Sequence, residues 1–286
     1  MLARGRSVHR KRQGEHPTDP TVEPINPTPM RRRISTLWRA MRTGFCFAVF
    51  FQTALVFWAV VFPLLRLLPG DPRPRLQRVL HRFFRAFEGL MTRLGLIQVS
   101  WSGLERLAGP GPQVVVANHP TLIDAVLLIA KIPRAVCVVA DAWRDNRFLG
   151  PAARAAGYVL SGDEGHGVVD GCAERLAEGC TLVLFPEGTR SPRRGLGPFH
   201  RGAAHVALRT GQPLVPVFIT CEPPSLMKGQ RWWEVPDRPM QLRLCVLDAI
   251  SPKPHRSSGL GAPLAARRLT SELRELFSKR LNLVAS

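Results

Sequence analysis

A chain of 286 residues is long enough for one sizeable domain with an added tail or membrane segment. Its 45% hydrophobic content excludes a wholly disordered protein, and its net charge of +19 calls for a polyanionic surface nearby. Through residue 95 there are 17 Lys and Arg against five Asp and Glu, and this excess flanks the most apolar stretch of the chain. With a single Tyr to interleave with the basic residues, the pattern favours a membrane surface and excludes nucleic acid as the partner.

In chain order, residues 1–30 are rich in Arg, Pro, Thr and Gly, lack apolar periodicity, and read as a disordered basic arm. Residues 31–96 form a helical membrane element. Within it, residues 44–65 (GFCFAVFFQTALVFWAVVFPLL) carry no charge and are long enough to cross a hydrocarbon core. The stretch lies too far from Met1, and lacks the small-residue cleavage site, for a signal peptide. Arg31, Arg32, Arg33, Arg39 and Arg42 precede it, while Arg66, Arg73, Arg75, Arg78, Arg82 and Arg85 follow. Two basic flanks give no clean crossing and suggest a helix that returns to the same face, bent near Pro63. After it, Leu76, Val79, Leu80, Phe83, Phe84, Phe87, Leu90 and Met91 recur at helical spacing with Arg opposite. That is an amphipathic helix for the headgroup zone, or one packed on the globular domain.

Residues 97–286 read as an α/β domain with a mixed central sheet flanked by helices. Strands are expected at 97–101, 113–118, 135–140, 157–160, 181–185, 214–219 and 241–247. Helices are expected near 121–131, 146–156, 166–179, 201–210 and 262–282. The six cysteines form no CxxC and read as buried, reduced thiols of a cytosolic domain, with no disulfide or metal site.

Two blocks carry chemistry. NHPTLID, Asn118 to Asp124, follows a buried strand and leads into an apolar helix. A neutral His119 accepts a proton from an alcohol. If Pro120 and Thr121 open the helix, Asp124 curls back to fix its tautomer, as in a triad whose serine is replaced by the substrate hydroxyl. TLVLFPEGTRS (181–191) places Glu187, Gly188, Thr189, Arg190 and Ser191 at the end of a second strand. Arg190 and backbone amides would clamp a phosphate there while Glu187 orients a glycerol hydroxyl. His200, His205 and His166 read as structural or loop residues. Trp232 and Trp233 read equally as an interfacial loop or as packing on the sheet.

Together the blocks resemble the lysophospholipid acyltransferases, which make phosphatidate from 1-acylglycerol-3-phosphate. The resemblance covers roughly residues 35–250. It implies a glycerolipid acyltransferase-like sandwich with an N-terminal membrane-docking helical element, His119 as general base and Asp124 as its partner. It assigns Asn118, Glu187, Gly188, Thr189 and Arg190 to substrate binding, and LVPVFI (214–219) to the acyl pocket. It implies acyl-CoA or acyl-carrier protein as donor, no cofactor, and a catalytic domain on the cytoplasmic side of a phospholipid membrane. The chain departs from the family where a basic residue usually meets the acceptor phosphate: GYVLSGDEG has Gly162 and Asp163 there, and AVCVVADAW has Asp141 in place of an expected Lys. Arg144, Arg147 and Arg154 are candidate replacements. A different hydroxyl-bearing lipid as acceptor, or a silent lipid-binding relative, are the alternatives.

Overall fold

The structure, a computed structural model, describes residues 29–109, 111–140, 149–162, 167–257 and 259–285. The basic arm up to residue 28, Asp141, Arg144, Arg147, Asp163 and His166 lie outside them.

Seven strands form one sheet: β1 (Ile97–Ser102), β2 (Val114–Ala117), β3 (Ala135–Val139), β4 (Val159–Leu160), β5 (Thr181–Leu184), β6 (Leu214–Glu222) and β7 (Met240–Val246), in spatial order β1-β7-β6-β2-β5-β3-β4. Only the β6–β7 pairing is antiparallel. All seven expected strands and the expected mixed sheet are present. The run VVVA is buried along its whole length, as a central parallel strand must be, whereas β7 alternates buried and accessible positions. Pro216 sits where β6 turns from pairing with β2 to pairing with β7, and its carbonyl accepts Leu247 N–H at 2.8 Å. A proline is tolerated there because its missing N–H falls at the change of ladder.

The helices α4 (Asp124–Lys131), α5 (Leu149–Ala155), α6 (Gly167–Ala177), α7 (Gly202–Thr210), α8 (Lys253–Arg256) and α9 (Ala262–Ala285) flank the sheet. The odd residues of β2, Val115 and Ala117, pack in one apolar layer with α4; the even ones, Val114 and Val116, pack in a second with α6, α7 and α9. The connection leaving β2 runs towards β3, and the one leaving β5 runs the other way to β6. Neighbouring strands whose connections diverge on opposite faces leave a crevice at their carboxyl ends, where α/β sheets bind ligands.

The N-terminal element is a helical hairpin. The first arm is α1 (Pro29–Val56), a π-turn over Phe57–Val61, and α2 (Phe62–Leu67); the second is α3 (Arg73–Arg93). Pro63 has no N–H to give, and the ladder widens just before it, with Phe62 N–H bonded to the Phe57 carbonyl. The reversal comes later than Pro63, at residues 68–72. Phe50 of α1 lies 5.5 to 6.4 Å, centroid to centroid, from Phe83, Phe84 and Phe87 of α3. The apolar face of α3 is consumed in this contact and in packing on α4, with Leu76, Phe87 and Met91 buried. The helix is therefore packed on the globular domain, one of its two compatible readings. The exposed apolar stripe belongs to α1 and α2 instead, through Trp38, Met41, Phe45, Leu55, Val60, Leu64 and Leu67. Ser35–Leu67 is long and apolar enough to cross a membrane.

Phe87→Ala is expected to lower stability by about 3–5 kcal/mol in a thermal or denaturant melt, because it empties a filled core site. Leu64→Glu is expected to leave the melt unchanged and to weaken retention on phospholipid vesicles. Equal destabilisation by both would mean that the exposed stripe is packed inside the fold.

Candidate active site

The strand β2 delivers Asn118 and His119 to the crevice. The Asn118 side chain is almost fully buried; its Nδ2 donates to the Ile219 carbonyl at 2.8 Å and its Oδ1 accepts Ile219 N–H at 2.7 Å. This corrects its assignment to substrate binding: both ends of the amide are used to lock β2 onto β6.

Helix α4 begins at Asp124 itself, not at Pro120 and Thr121. Residues 120–123 form a turn that bends the chain so that Asp124 faces His119. Asp124 Oδ2 accepts Thr121 N–H at 2.6 Å and meets His119 Nδ1 at 2.8 Å, while Oδ1 accepts the Thr121 hydroxyl at 2.6 Å. The carboxylate is completely buried, whereas the His119 side chain is 19% exposed. With Nδ1 held by Asp124, His119 presents Nε2 to the cavity beyond. The imidazole is stacked on Phe185, with centroids 4.1 Å apart and planes 22° from parallel.

Burial raises the Asp124 pKa above the ordinary carboxylate range, partly opposed by the hydrogen bond and charge of His119 and by the two bonds from Thr121.

The second block braces the first. Glu187 is 3% exposed. Its Oε1 accepts the Ser191 hydroxyl at 2.5 Å and, more distantly, His119 N–H at 3.3 Å; its Oε2 accepts Gly197 N–H at 2.7 Å. Ser191 Oγ accepts His119 N–H at 3.1 Å, and Ser191 N–H donates to the His119 carbonyl at 2.7 Å. Glu187 therefore holds the backbone of His119 in place, and this corrects its assignment to a glycerol hydroxyl. Arg190 Nη1 donates to the carbonyls of Leu226 and Met227, each at 3.0 Å, which sets that part of the guanidinium to stapling the β6–β7 connection. Leu122 N–H reaches the same Leu226 carbonyl at 3.1 Å.

Gly188, Thr189 and Arg190 do line the cavity. Gly188 adopts a φ of +65°, which favours glycine, and an added Cβ would stand a tight 3.3 Å from the His200 ring. His200, read from sequence as structural, lines the same cavity. Thr121 was missed as well, although its position three residues before a buried Asp is a readable turn signal. The Leu226 connection carries no local signal, being a hundred residues from His119.

The cavity holds about 940 Å³ and runs from His119 between the hairpin and the sheet. Its walls include Phe50, Phe84 and Phe87 of the hairpin, Val126 and Ile129 of α4, and Val139 of β3. The LVPVFI strand is not among its lining residues, which corrects the acyl-pocket expectation; those side chains fill the two core layers. Of the candidate replacement cations, Arg154 lies in the last turn of α5 and off the cavity wall. The arginines on the wall are Arg39, Arg190 and Arg238.

All six cysteines are unpaired, and burial pushes the Cys137 thiol, on the cavity wall, up to about 12, far from a nucleophile's range. Among the described residues no group of three or more His, Cys, Asp or Glu side chains is placed to hold a metal ion.

The ends of β2 and β5 thus form a crevice with a braced His–Asp pair beside a long apolar cavity. Residues 98–220, which span β1 to β6 and both blocks, match the family model described as Acyltransferase. The chain is similar to the chloroplastic 1-acyl-sn-glycerol-3-phosphate acyltransferase BAT2 of Brassica napus, 29% identical over 150 residues, covering 51% of this chain and 44% of that protein. It is 31% identical over 162 residues to the putative 1-acyl-sn-glycerol-3-phosphate acyltransferase acl-2 of Caenorhabditis elegans, covering 53% and 55%. The chain thus spans about half the length of the curated relatives it matches. Its fold is that of the 1-acyl-sn-glycerophosphate acyltransferase PlsC of Thermotoga maritima, with a TM-score of 0.66 at 20% identity, over 89% of this chain and 98% of that one. Over residues 98–220 the chain is thus similar to the acyltransferases, by family model, by relatives and by fold.

Two predictions follow from this geometry. Glu187→Ala is expected to orphan the Ser191 hydroxyl and Gly197 N–H, costing about 1–3 kcal/mol per donor in a thermal melt. An unchanged melt with a raised KM for the acceptor would return Glu187 to substrate binding. For Asp124, a pKa raised by folding means that its contribution to stability is fullest below the ordinary carboxylate pKa of about 3.9 and is lost as pH rises through the folded value. The stability of Asp124→Asn relative to the native chain is therefore expected to improve as pH rises above the ordinary carboxylate pKa of about 3.9. A difference that moves the other way would show the carboxylate to be stabilised as an anion by its partners.

Proposed function

We propose that the chain transfers a fatty acyl group from acyl-CoA or acyl-carrier protein to the free hydroxyl of a lysophospholipid, 1-acylglycerol-3-phosphate, to give phosphatidate. The observation that carries this reading is the His119–Asp124 pair at the wall of an apolar cavity of about 940 Å³, within the range of sites that bury a drug-sized ligand.

In this reading the donor's acyl chain lies in the cavity with its thioester carbonyl at His119. Nε2 removes the proton from the acceptor hydroxyl, and the oxygen attacks the carbonyl carbon. Asp124 keeps Nδ1–H in place and stabilises the imidazolium that forms. The tetrahedral oxyanion collapses with loss of the thiolate, which takes the proton from His119. An ester and a free thiol result, and the chain is unchanged. The oxyanion needs donors beside the cavity. Gly188 N–H is engaged with the Phe185 carbonyl and Ser191 N–H with His119, which leaves the amides of Thr189 and Arg190 as the loop's candidates.

The hairpin supports docking on the cytoplasmic face. At one end Arg42 donates to the Leu94 carbonyl at 2.9 Å; at the other Arg73 pairs with Glu178 at 3.1 Å. Arg42 thus ties the two arms together, while Arg73 and the packing of α3 on α4 hold the hairpin along the domain, so both basic flanks meet one leaflet and the apolar stripe of α1 enters it.

His119→Ala is expected to lower kcat/KM by about 10²–10⁴-fold for acyl transfer to lysophosphatidate in vesicles, in a chain that stays folded but melts lower because Asp124 loses one of its contacts. Transfer at the native rate by this variant would overturn the mechanism.

A further inference from the structure

A second cavity of about 490 Å³ adjoins the first and shares Arg190, Leu122, Leu226 and Trp232 with it. It is formed between α1 and the β6–β7 connection. Apart from Gln230, its described walls are of two kinds. Phe47 and Phe51 of α1, Leu122 and the two Trp rings are apolar, while Arg190 and Arg231 are cationic, and no carboxylate lines it.

The connection is built to hold this space open beside the membrane helix. Trp232 packs on Phe47 at 5.8 Å and comes within 3.1 Å of a Cβ placed on Gly44, so α1 and the connection form one wall. Trp233 stands edge-on to Trp232 at 5.3 Å, and the Arg231 guanidinium lies over the Trp233 ring at 5.4 Å. Both Trp side chains stay more than 40% exposed, next to the stripe that α1 presents to lipid. Among the described residues no carboxylate pairs with Arg231. The innermost residues, Leu122 and Arg190, belong to the two catalytic blocks themselves.

We infer that this second cavity is the acceptor's entrance and seat: a lysophospholipid with a phosphate monoester enters it sideways from the bilayer, and Arg231 binds its phosphate. The inference rests on the acyltransferase reading above and adds where the acceptor sits. Charge complementarity selects an anionic headgroup over a neutral or zwitterionic one, since two guanidiniums face the space without a compensating carboxylate. Continuity with α1 selects a membrane amphiphile over a soluble phosphate ester. The shared wall at Leu122 and Arg190 carries the acceptor's hydroxyl towards His119, while the donor's acyl chain keeps the larger cavity. Arg231 thereby answers the loss of the basic residues expected near Gly162 and Asp163: the charge is supplied from the β6–β7 connection.

The test uses the full chain in phosphatidylcholine vesicles, with one acyl donor and three acceptors: lysophosphatidate, lysophosphatidylcholine and monoacylglycerol. Arg231→Gln is expected to raise the KM for lysophosphatidate about 10- to 100-fold, with kcat and the KM for the donor unchanged, and Arg231→Lys to restore part of the loss. Leu122→Trp, which fills the cavity from the catalytic side, is expected to raise the acceptor KM with the melting temperature unchanged. A native KM for lysophosphatidate in Arg231→Gln, in a chain that His119→Ala silences, overturns this inference and leaves the acyltransferase reading standing. A native chain that acylates only the uncharged or zwitterionic acceptors overturns it as well. Transfer that survives His119→Ala removes the reading beneath it.

Discussion

The site depends on one carboxylate that has no access to water. Asp124 is completely buried at the first turn of α4, and burial of an unpaired carboxylate costs several kcal/mol. The fold meets that demand with three contacts: Thr121 through its amide and hydroxyl, and His119 through Nδ1. Each contact has a second consequence. The Thr121 bonds shape the turn between β2 and α4, and the His119 bond fixes which nitrogen faces the cavity. The helix N-terminus adds a favourable field for the anion. Removing His119 alone therefore disturbs the charge as well as the base.

A second buried carboxylate works one layer out. Glu187 spends its oxygens on Ser191, Gly197 and the His119 backbone, and Ser191 in turn holds His119 from both its amide and its carbonyl. The two blocks arrive on adjacent parallel strands in register, Val116 opposite Leu184, so this bracing needs no long loops. The FPEGTRS block thus acts largely through His119, with Gly188 and Thr189 left facing the cavity. Arg190 extends the bracing to the β6–β7 connection, which carries the Trp pair to α1. The two sequence blocks and α1 are joined through the β6–β7 connection, held at the backbone carbonyls of residues 226 and 227.

Much of this was legible before any coordinates. Continuous apolar runs such as VVVA and TLVL read as strands buried on both faces, and alternating runs such as QLRLCVL as strands with one accessible face; together the two patterns locate all seven strands. The spacing of His119 and Asp124 alone fits a capping Asp and a surface His equally; FPEGTRS at the end of a second strand is what made the pair readable as a site. What sequence could not settle was direction. Asn118 and Glu187 look like substrate ligands because they are polar and stand beside the base, yet both are turned into the fold and fully bonded there. The apolar face of α3 looked available to lipid, but Phe50 of α1 covers it. The LVPVFI strand is apolar enough to line a pocket, and its position between β2 and β7 puts it in the core instead. Most of these distinctions arise between segments distant in sequence, Asn118 with Ile219, Glu187 with His119 and Phe50 with α3, and no local pattern encodes those contacts.

The central claim is that Asp124 holds His119 as a neutral base with Nε2 free towards the cavity. Nitrogen-15 NMR of the full chain in nanodiscs, with histidine labelled and His119 assigned from the His119→Ala spectrum, reads that state directly. The account predicts, near neutral pH, a protonated Nδ1 with a strongly downfield proton and an unprotonated Nε2, both lost or reversed in Asp124→Asn. A proton on Nε2 with Nδ1 bare, unaffected by Asp124→Asn, would contradict it.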